Sequence, residues 1–280
     1  MRLGIFAKTF EGKTPAVVLA AACNGGYSTV QYNLACSGLS SLPVTISAEV
    51  VAAVRAASVA TGVTLSAVSA TYNMVHPDAA ERARGRASFA AIAGAARGMG
   101  TNLLTLCTGS CDPVDQWKYD PGNDTPAAWD EMCAEFRLLI AIAEREDVLL
   151  GVEPELANVV SSAARGKKLL DTFGDARIRI VFDPANLFDV ASAEEQRALI
   201  EDALELLGGS IALAHAKDRL SDGRFAAAGA GVLDYDYYLR ALKRVGFDGS
   251  LITHGLAAAE AEDVANFLKR KMIAAEVVDR

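Results

Sequence analysis

Short runs of apolar residues alternate along the chain with longer, Ala-rich segments of helical spacing. The runs are Arg2–Phe6, Ser28–Tyr32, Thr64–Ser69, Asn102–Leu106, Val148–Val152, Ile178–Phe182, Ser210–Ala214 and Ser250–Thr253. Most lack polar alternation, as expected of strands in a parallel sheet covered on both faces. The segments between them read as helices over Pro15–Cys23, Ala48–Thr61, Ala79–Arg97, Ala127–Arg145, Val159–Thr172, Ala193–Leu207, Tyr235–Val245 and Ala257–Met272. Thr14-Pro15 and Thr125-Pro126 each set a capping hydroxyl before a first-turn proline, and Ser47 and Asn158 are further N-cap candidates. Gly25-Gly26, Gly62, Gly100, Gly174, Gly208-Gly209 and Gly246 fall where helices must end, and glycine supplies the left-handed cap of such exits.

Eight strand-then-helix units in order predict an α/β protein, a (β/α)8 barrel spanning residues 1–280 as a single domain. The rival, a doubly wound open sheet, predicts a Gly-rich phosphate turn after the first strand. The turn here is Ala7-Lys8-Thr9-Phe10-Glu11-Gly12, which is no such motif. No linker, low-complexity stretch or second domain is evident, and Ala274–Arg280 is expected to fray.

Composition narrows the function classes. Of 280 residues, 51% are hydrophobic and 22% charged, too apolar for a disordered chain. Lys plus Arg number 27 against 35 Asp plus Glu, a net charge of −8, which disfavours a nucleic-acid surface. The opening MRLGIFA is too short for a signal peptide, and no apolar run approaches the roughly 20 residues of a membrane span. The chain therefore reads as soluble and cytoplasmic, with no membrane partner. Its cysteines are Cys23, Cys36, Cys107, Cys111 and Cys133, an odd set that reads as reduced, mostly buried thiols. Cys107 and Cys111 lack the second Cys or His pair that a zinc site needs.

In a barrel the loops after the strands build the active site, so reactive side chains belong at the strands' C-terminal ends. The three histidines obey this: His215 ends run seven, His254 ends run eight, and His76 lies in the loop after run three. Run five ends Gly-Val-Glu153-Pro-Glu155 and run six ends Val-Phe-Asp183-Pro-Ala-Asn186. Bare acids after apolar runs require neutralisation. Neighbouring strands lie about 5 Å apart, so Glu153, Asp183, His215 and His254 can point at one centre. Two carboxylates and two imidazoles suit a divalent metal ion such as Mn²⁺, Zn²⁺, Fe²⁺ or Co²⁺ better than Ca²⁺, with Mg²⁺ the less nitrogen-tolerant option. The competing reading is a rim salt-bridge network, with Lys217, Arg219 and Lys8 as its cations. For His254 it is a hydrogen bond to substrate, and for His76 a substrate contact or plain loop residue. Glu155 and Asn158 read as outer support and helix cap.

Other strand-end polar residues suit a polyol pocket: Lys8, Gln31, Asn33, Tyr72, Asn73, Thr108, Asn186, Lys217 and Asp218. Trp117 and Tyr119 sit in the long insertion between Cys107 and Thr125, where they either cover the site or pack within the loop itself. Ala228-Gly229-Ala230-Gly231 either brings amides to an anion or shapes a turn.

At these residues the chain resembles the xylose-isomerase-like TIM-barrel superfamily, which holds sugar and sugar-phosphate isomerases and epimerases, inosose isomerases and dehydratases, and apurinic-site endonucleases. The resemblance rests on Gly151-Val-Glu153-Pro-Glu, Val181-Phe-Asp183-Pro-Ala-Asn, His215-Ala-Lys217-Asp218 and Gly229-Ala-Gly231-Val-Leu-Asp. It implies Glu153, Asp183 and His215 as metal ligands. Two positions depart from the pattern: His254 stands where epimerases carry a glutamate, and Asn186 where a histidine is common. The endonuclease branch needs several more histidines than the three present.

The expectation is a metal-dependent isomerase or epimerase of a small sugar, keto-sugar or polyol. Glu153 would move the proton, His254 or Lys217 would return it, and the metal would stabilise an enediolate. Lys8, Tyr72, His76, Asn186 and Trp117 would bind substrate. The alternatives are a dehydratase or keto-glycoside lyase using the same enolate, and a sugar-binding barrel without catalysis. The residues leave a homo-oligomer open.

Overall fold

The computed structural model describes residues 1–277. The fold is a (β/α)8 barrel. Its staves are β1 (Arg2–Phe6), β2 (Thr29–Tyr32), β3 (Thr64–Ser69), β4 (Leu103–Leu106), β5 (Leu149–Val152), β6 (Ile178–Phe182) and β7 (Ile211–Ala216). A two-stranded hairpin, β8 (Asp218–Arg219) and β9 (Phe225–Ala226), precedes the last stave, β10 (Ser250–Thr253). The staves pair in parallel in the order β1-β10-β7-β6-β5-β4-β3-β2 and close on themselves. Around them run α1 (Pro15–Asn24), α2 (Ala48–Thr61), α3 (Ala79–Met99), α4 (Pro126–Glu146), α5 (Ala163–Phe173), α6 (Ala193–Leu207), α7 (Tyr235–Arg244) and α8 (Ala261–Ala274). No helix among the described residues is long and apolar enough to cross a membrane.

Caps explain most helix starts. Ser47 accepts from Val50 N and Thr125 from Ala128 N, whereas Thr14 makes no side-chain capping bond. Asn158 caps nothing. Its carboxamide bridges Gly109 N and Gln116 O, and α5 begins later, behind Ser162. Four residues predicted as helix are thus loop, because Asn158 is used to tie that loop to its neighbour. Gly62, Gly100 and Gly174 take the left-handed cap, but Gly208 is right-handed and simply continues into a 3-10 turn. The hairpin's strands are two residues each, too short to show a period in the sequence. At the C-terminus, Ala275, Glu276 and Val277 hydrogen-bond back onto α8 instead of fraying, and the rest of the expected frayed segment, 278–280, lies outside the described residues.

Inside the barrel, Ala67, Leu103, Val181, Leu213 and Ile252 form an apolar plug. Side chains alternate between the faces of a strand. Two residues beyond the plug, the same inward face therefore carries Ser69, Thr105, Asp183, His215 and His254. Register shifts tune this phase: β3 carries one extra residue opposite Val30/Gln31, and β7 one opposite Ile180/Val181. At the fifth stave the inward position is Gly151, where a Cβ would meet Leu103 and Val181 at 3.1 Å. The plug leaves no room there.

Candidate metal centre

Four neighbouring staves, β5, β6, β7 and β10, deliver Glu153, Asp183, His215 and His254 to one point. One donor atom from each lies within 4.8 Å of all the others. His215 Nδ1 is 3.2 Å from Glu153 Oε1 and 3.6 Å from Asp183 Oδ2, and His254 Nε2 is 3.2 Å from the same Asp183 oxygen. The two imidazoles meet edge to face at 4.5 Å. Asp183 and His215 are buried outright, while Glu153 and His254 keep some exposure toward a cavity of about 570 Å³ on the strands' C-terminal face.

The Asp-Pro-Ala-Asn tetrapeptide builds much of this. Asp183 Oδ1 accepts from Ala185 N and caps a 3-10 turn over Pro184–Asn186. The turn swings Asn186 back, so that its Nδ2 donates to Glu153 Oε1 at 2.9 Å and its Oδ1 accepts from Lys217 Nζ at 3.0 Å. Lys217 Nζ also lies 3.1 Å from Asp183 Oδ2 and 3.9 Å from the Phe225 ring centroid. The ammonium is thereby fixed beside the cluster.

Charge compensation sets the protonation states. Burial favours neutral forms throughout, yet the mutual attraction of the groups prevails. His215 is pushed up to about 9 by Glu153 and Asp183 against its burial, and both carboxylates are held below their usual range by His215 and Lys217. Asp183 keeps Lys217 charged despite burial. His254 goes the other way: burial and the facing His215 lower it. Burial, and then the charge of Glu153, raise Glu155 to about 7. Its carboxyl lines the cavity and makes no hydrogen bond or ion pair with any described residue.

Two carboxylates and two imidazole nitrogens within ligand reach of one centre are a donor set that fits a divalent transition ion. Loading such an ion must displace the His215 proton. Apparent affinity is therefore expected to rise roughly tenfold per pH unit up to about 9. Near neutral pH, at least one proton should be released per ion, as read by calorimetry in buffers of different ionisation enthalpy. No proton release would contradict the compensated cluster.

The remaining predicted site residues divide. Lys8, Asn33 and Trp117 line the cavity, joined by Glu155, Gln116 and Phe225. Tyr72 does not: it packs on Gly85 of α3 and donates to Glu135 Oε2. His76 also stays outside, its ring bridging Pro113 O and Asp78 N. Asn186 is buried beneath the cavity as the strut just described. Gln31 faces His215, Asn73 donates to Ser110 O, and Thr108 accepts from Val160 N. Tyr119 ties to Asp124 away from the cavity. Arg219, one of the cations of the rim-network reading, is spent on Ala185 O and Asp189. The Gly229–Gly231 segment wraps the buried Asp218 carboxylate, which accepts from the amides of Arg219, Gly229 and Leu233. A Cβ at Gly231 would sit 2.1 Å from Arg219 O, so glycine is required there. That segment shapes a turn, with the Gly229 amide engaged by Asp218 and the Ala230 amide by Ala227 O.

Two residues carry more than sequence reading assigned them. The sequence suggests Glu155 only as outer support, and no local pattern marks Phe225, which the short hairpin presents to the cavity. The Glu-Pro-Glu spacing was the available signal for the first: two residues on, past a proline, the second acid returns to the same side.

Fold and site together define a (β/α)8 barrel with a four-donor cluster at the mouth. The sequence profile of the xylose isomerase-like TIM barrel family matches residues 19–271. The chain belongs to that family. Its fold is similar to that of an E. coli 3-keto-D-glucoside 4-epimerase, YcjR (TM-score 0.74, 14% identity, covering 96% of this chain and 99% of that one). It is also similar to a D-psicose 3-epimerase determined in the presence of D-fructose (0.76, 16%, 98% and 99%). A third similar structure is an IOLI protein with a binding zinc atom (0.73, 15%, 98% and 98%). No curated protein matches the sequence.

Proposed function

We propose that the protein is a divalent-metal-dependent isomerase or epimerase of a small sugar, keto-sugar or related polyol. The observation that carries this is the convergence of Glu153, Asp183, His215 and His254 at the floor of the cavity. When bound, a divalent ion supplies Lewis-acid polarisation of a carbonyl and so acidifies the adjacent C–H. Glu153 is the base. Its Oε1 is held by Asn186 and His215, while among the described residues its other oxygen meets the weak Cys107 thiol, at 3.9 Å. Lys217, fixed by Asp183 and Asn186, faces the cavity as a cation where negative charge develops. Lys217, which Asp183 keeps charged, returns the proton. Lys8 and Trp117 hold the distal part of the substrate, and Trp117 with Phe225 shields the mouth from water.

Elimination is the second reading, favoured by Glu155. A carboxyl near neutrality facing the cavity is suited to protonate a leaving oxygen, as a dehydratase or keto-glycoside lyase requires.

The test is a panel of ketoses, inososes and keto-glycosides incubated with metal-loaded enzyme in deuterated solvent. Incorporation of deuterium at one substrate carbon, lost on chelation, is expected. An isomeric product assigns the first reading and an unsaturated one the second. Sugar binding that survives chelation, with no exchange on any substrate, would sink both in favour of a binding protein.

A further inference from the structure

His215 uses both ring nitrogens. Nδ1 faces Glu153 and Asp183, and Nε2 lies 2.9 Å from Gln31 Oε1 on the opposite side of the barrel interior. Gln31 is itself pinned: its amide nitrogen donates to Ser69 Oγ on β3 and to Thr105 Oγ1 on β4, each at 3.1 Å. All four side chains are buried. The register shift between β2 and β3 falls at Gln31, a bulge of the kind that re-aims a side chain.

We infer that Gln31 is a positioning residue that selects the tautomer of His215, holding the hydrogen on Nε2 so that Nδ1 presents a bare lone pair to the Glu153–Asp183 cluster. This rests on the metal-dependent reading above. A neutral imidazole carries one hydrogen, and a ligating nitrogen cannot be the one that bears it. The carboxylates mark Nδ1 as the ligating side, so Nε2 needs a fixed acceptor in a buried place. The amide's two donor bonds to hydroxyls turn its oxygen toward the ring and supply that acceptor. Histidine ligands commonly give their second N–H to a carboxylate, carbonyl or water. Here a side-chain amide does so and adds no charge to the cluster of two carboxylates and Lys217. With an apolar residue at position 31, Nε2–H loses its acceptor, and the hydrogen shifts to Nδ1, where Glu153 Oε1 receives it and blocks ligation.

The test uses Zn²⁺ itself, measured by competition calorimetry, with ¹⁵N spectra of the imidazoles. Only three histidines contribute signals. In zinc-loaded wild type, His215 is expected to carry its hydrogen on Nε2. Gln31→Leu should lose roughly 10–100-fold in zinc affinity and show hydrogen on Nδ1 in the metal-free protein at high pH. Gln31→Glu, which keeps an acceptor oxygen, should restore the Nε2–H form and most of the affinity. A zinc-loaded wild type with hydrogen on Nδ1, or unchanged affinity in a folded Gln31→Leu, overturns the inference while leaving the metal site intact. A wild type that binds no zinc, manganese or cobalt overturns the metal reading itself, and this inference with it. The wild-type spectrum decides the question even if Gln31→Leu fails to fold.

Discussion

Glu153→Gln is expected to lower turnover by about 10³-fold or more, the scale set by losing a positioned base, while the barrel stays folded. Gln matches Glu in shape and keeps an oxygen for the Asn186 amide, but it cannot accept the substrate proton. Its neutrality also removes the first of the carboxylate influences that raise His215 to about 9. The same variant should therefore show His215 titrating lower, toward its ordinary range, in the metal-free protein. Thermal melting, product formation and imidazole titration read these effects separately. Full activity in Glu153→Gln refutes the base assignment. Lost activity with an unmoved His215 titration refutes the account of the cluster's charge balance.

Asp183→Asn is expected to have the largest effect on the protein as a whole. Asp183 is fully buried and faces Lys217, His215 and His254 at once. Removing its charge strands a buried ammonium, and breaking a buried pair from one side typically costs about 3–5 kcal/mol. The same change removes one of two anionic donors, so zinc binding should fall beyond detection at micromolar concentrations. The pH dependence follows from the depressed carboxyl. A group lowered in the folded state contributes stability above its unfolded value and loses it as pH falls through the folded one. The melting-temperature gap between wild type and variant is accordingly full at neutral pH and closes in acid, below the usual aspartate range. A variant that melts like wild type at neutral pH would show that Asp183 is not the counter-ion that holds Lys217.

Much of the architecture was legible because a parallel barrel imposes local patterns. A stave covered on both faces is mostly apolar, and most of the helices covering it start on a side-chain cap, several of them ending at a left-handed glycine. Glu153, Asp183, His215 and His254 were visible for a related reason. Each follows an apolar run directly, and a polar or charged group in that place requires a partner, whether a metal ion or a rim salt bridge. Legibility failed where a polar side chain answers a distant partner. Asn158 looks like a cap but ties a loop to Gly109 and Gln116. Tyr72 looks like pocket lining but reaches Glu135, far along the chain. Gln31 looks like a polyol contact but reaches across the barrel to His215. Nothing within a few residues of any of them encodes those choices.

The sequence by itself determined the eight staves, their order, and the four side chains set at or just beyond their ends, because hydrophobic period and strand termination are local properties of a chain. Tertiary structure alone decided which nitrogen of each histidine faces the cluster, that Lys217 and Asn186 brace its carboxylates, and that Glu155 lines the cavity with no hydrogen bond or ion pair among the described residues. Those depend on distances across a closed barrel, where register and burial, rather than spacing along the chain, fix which polar atoms meet.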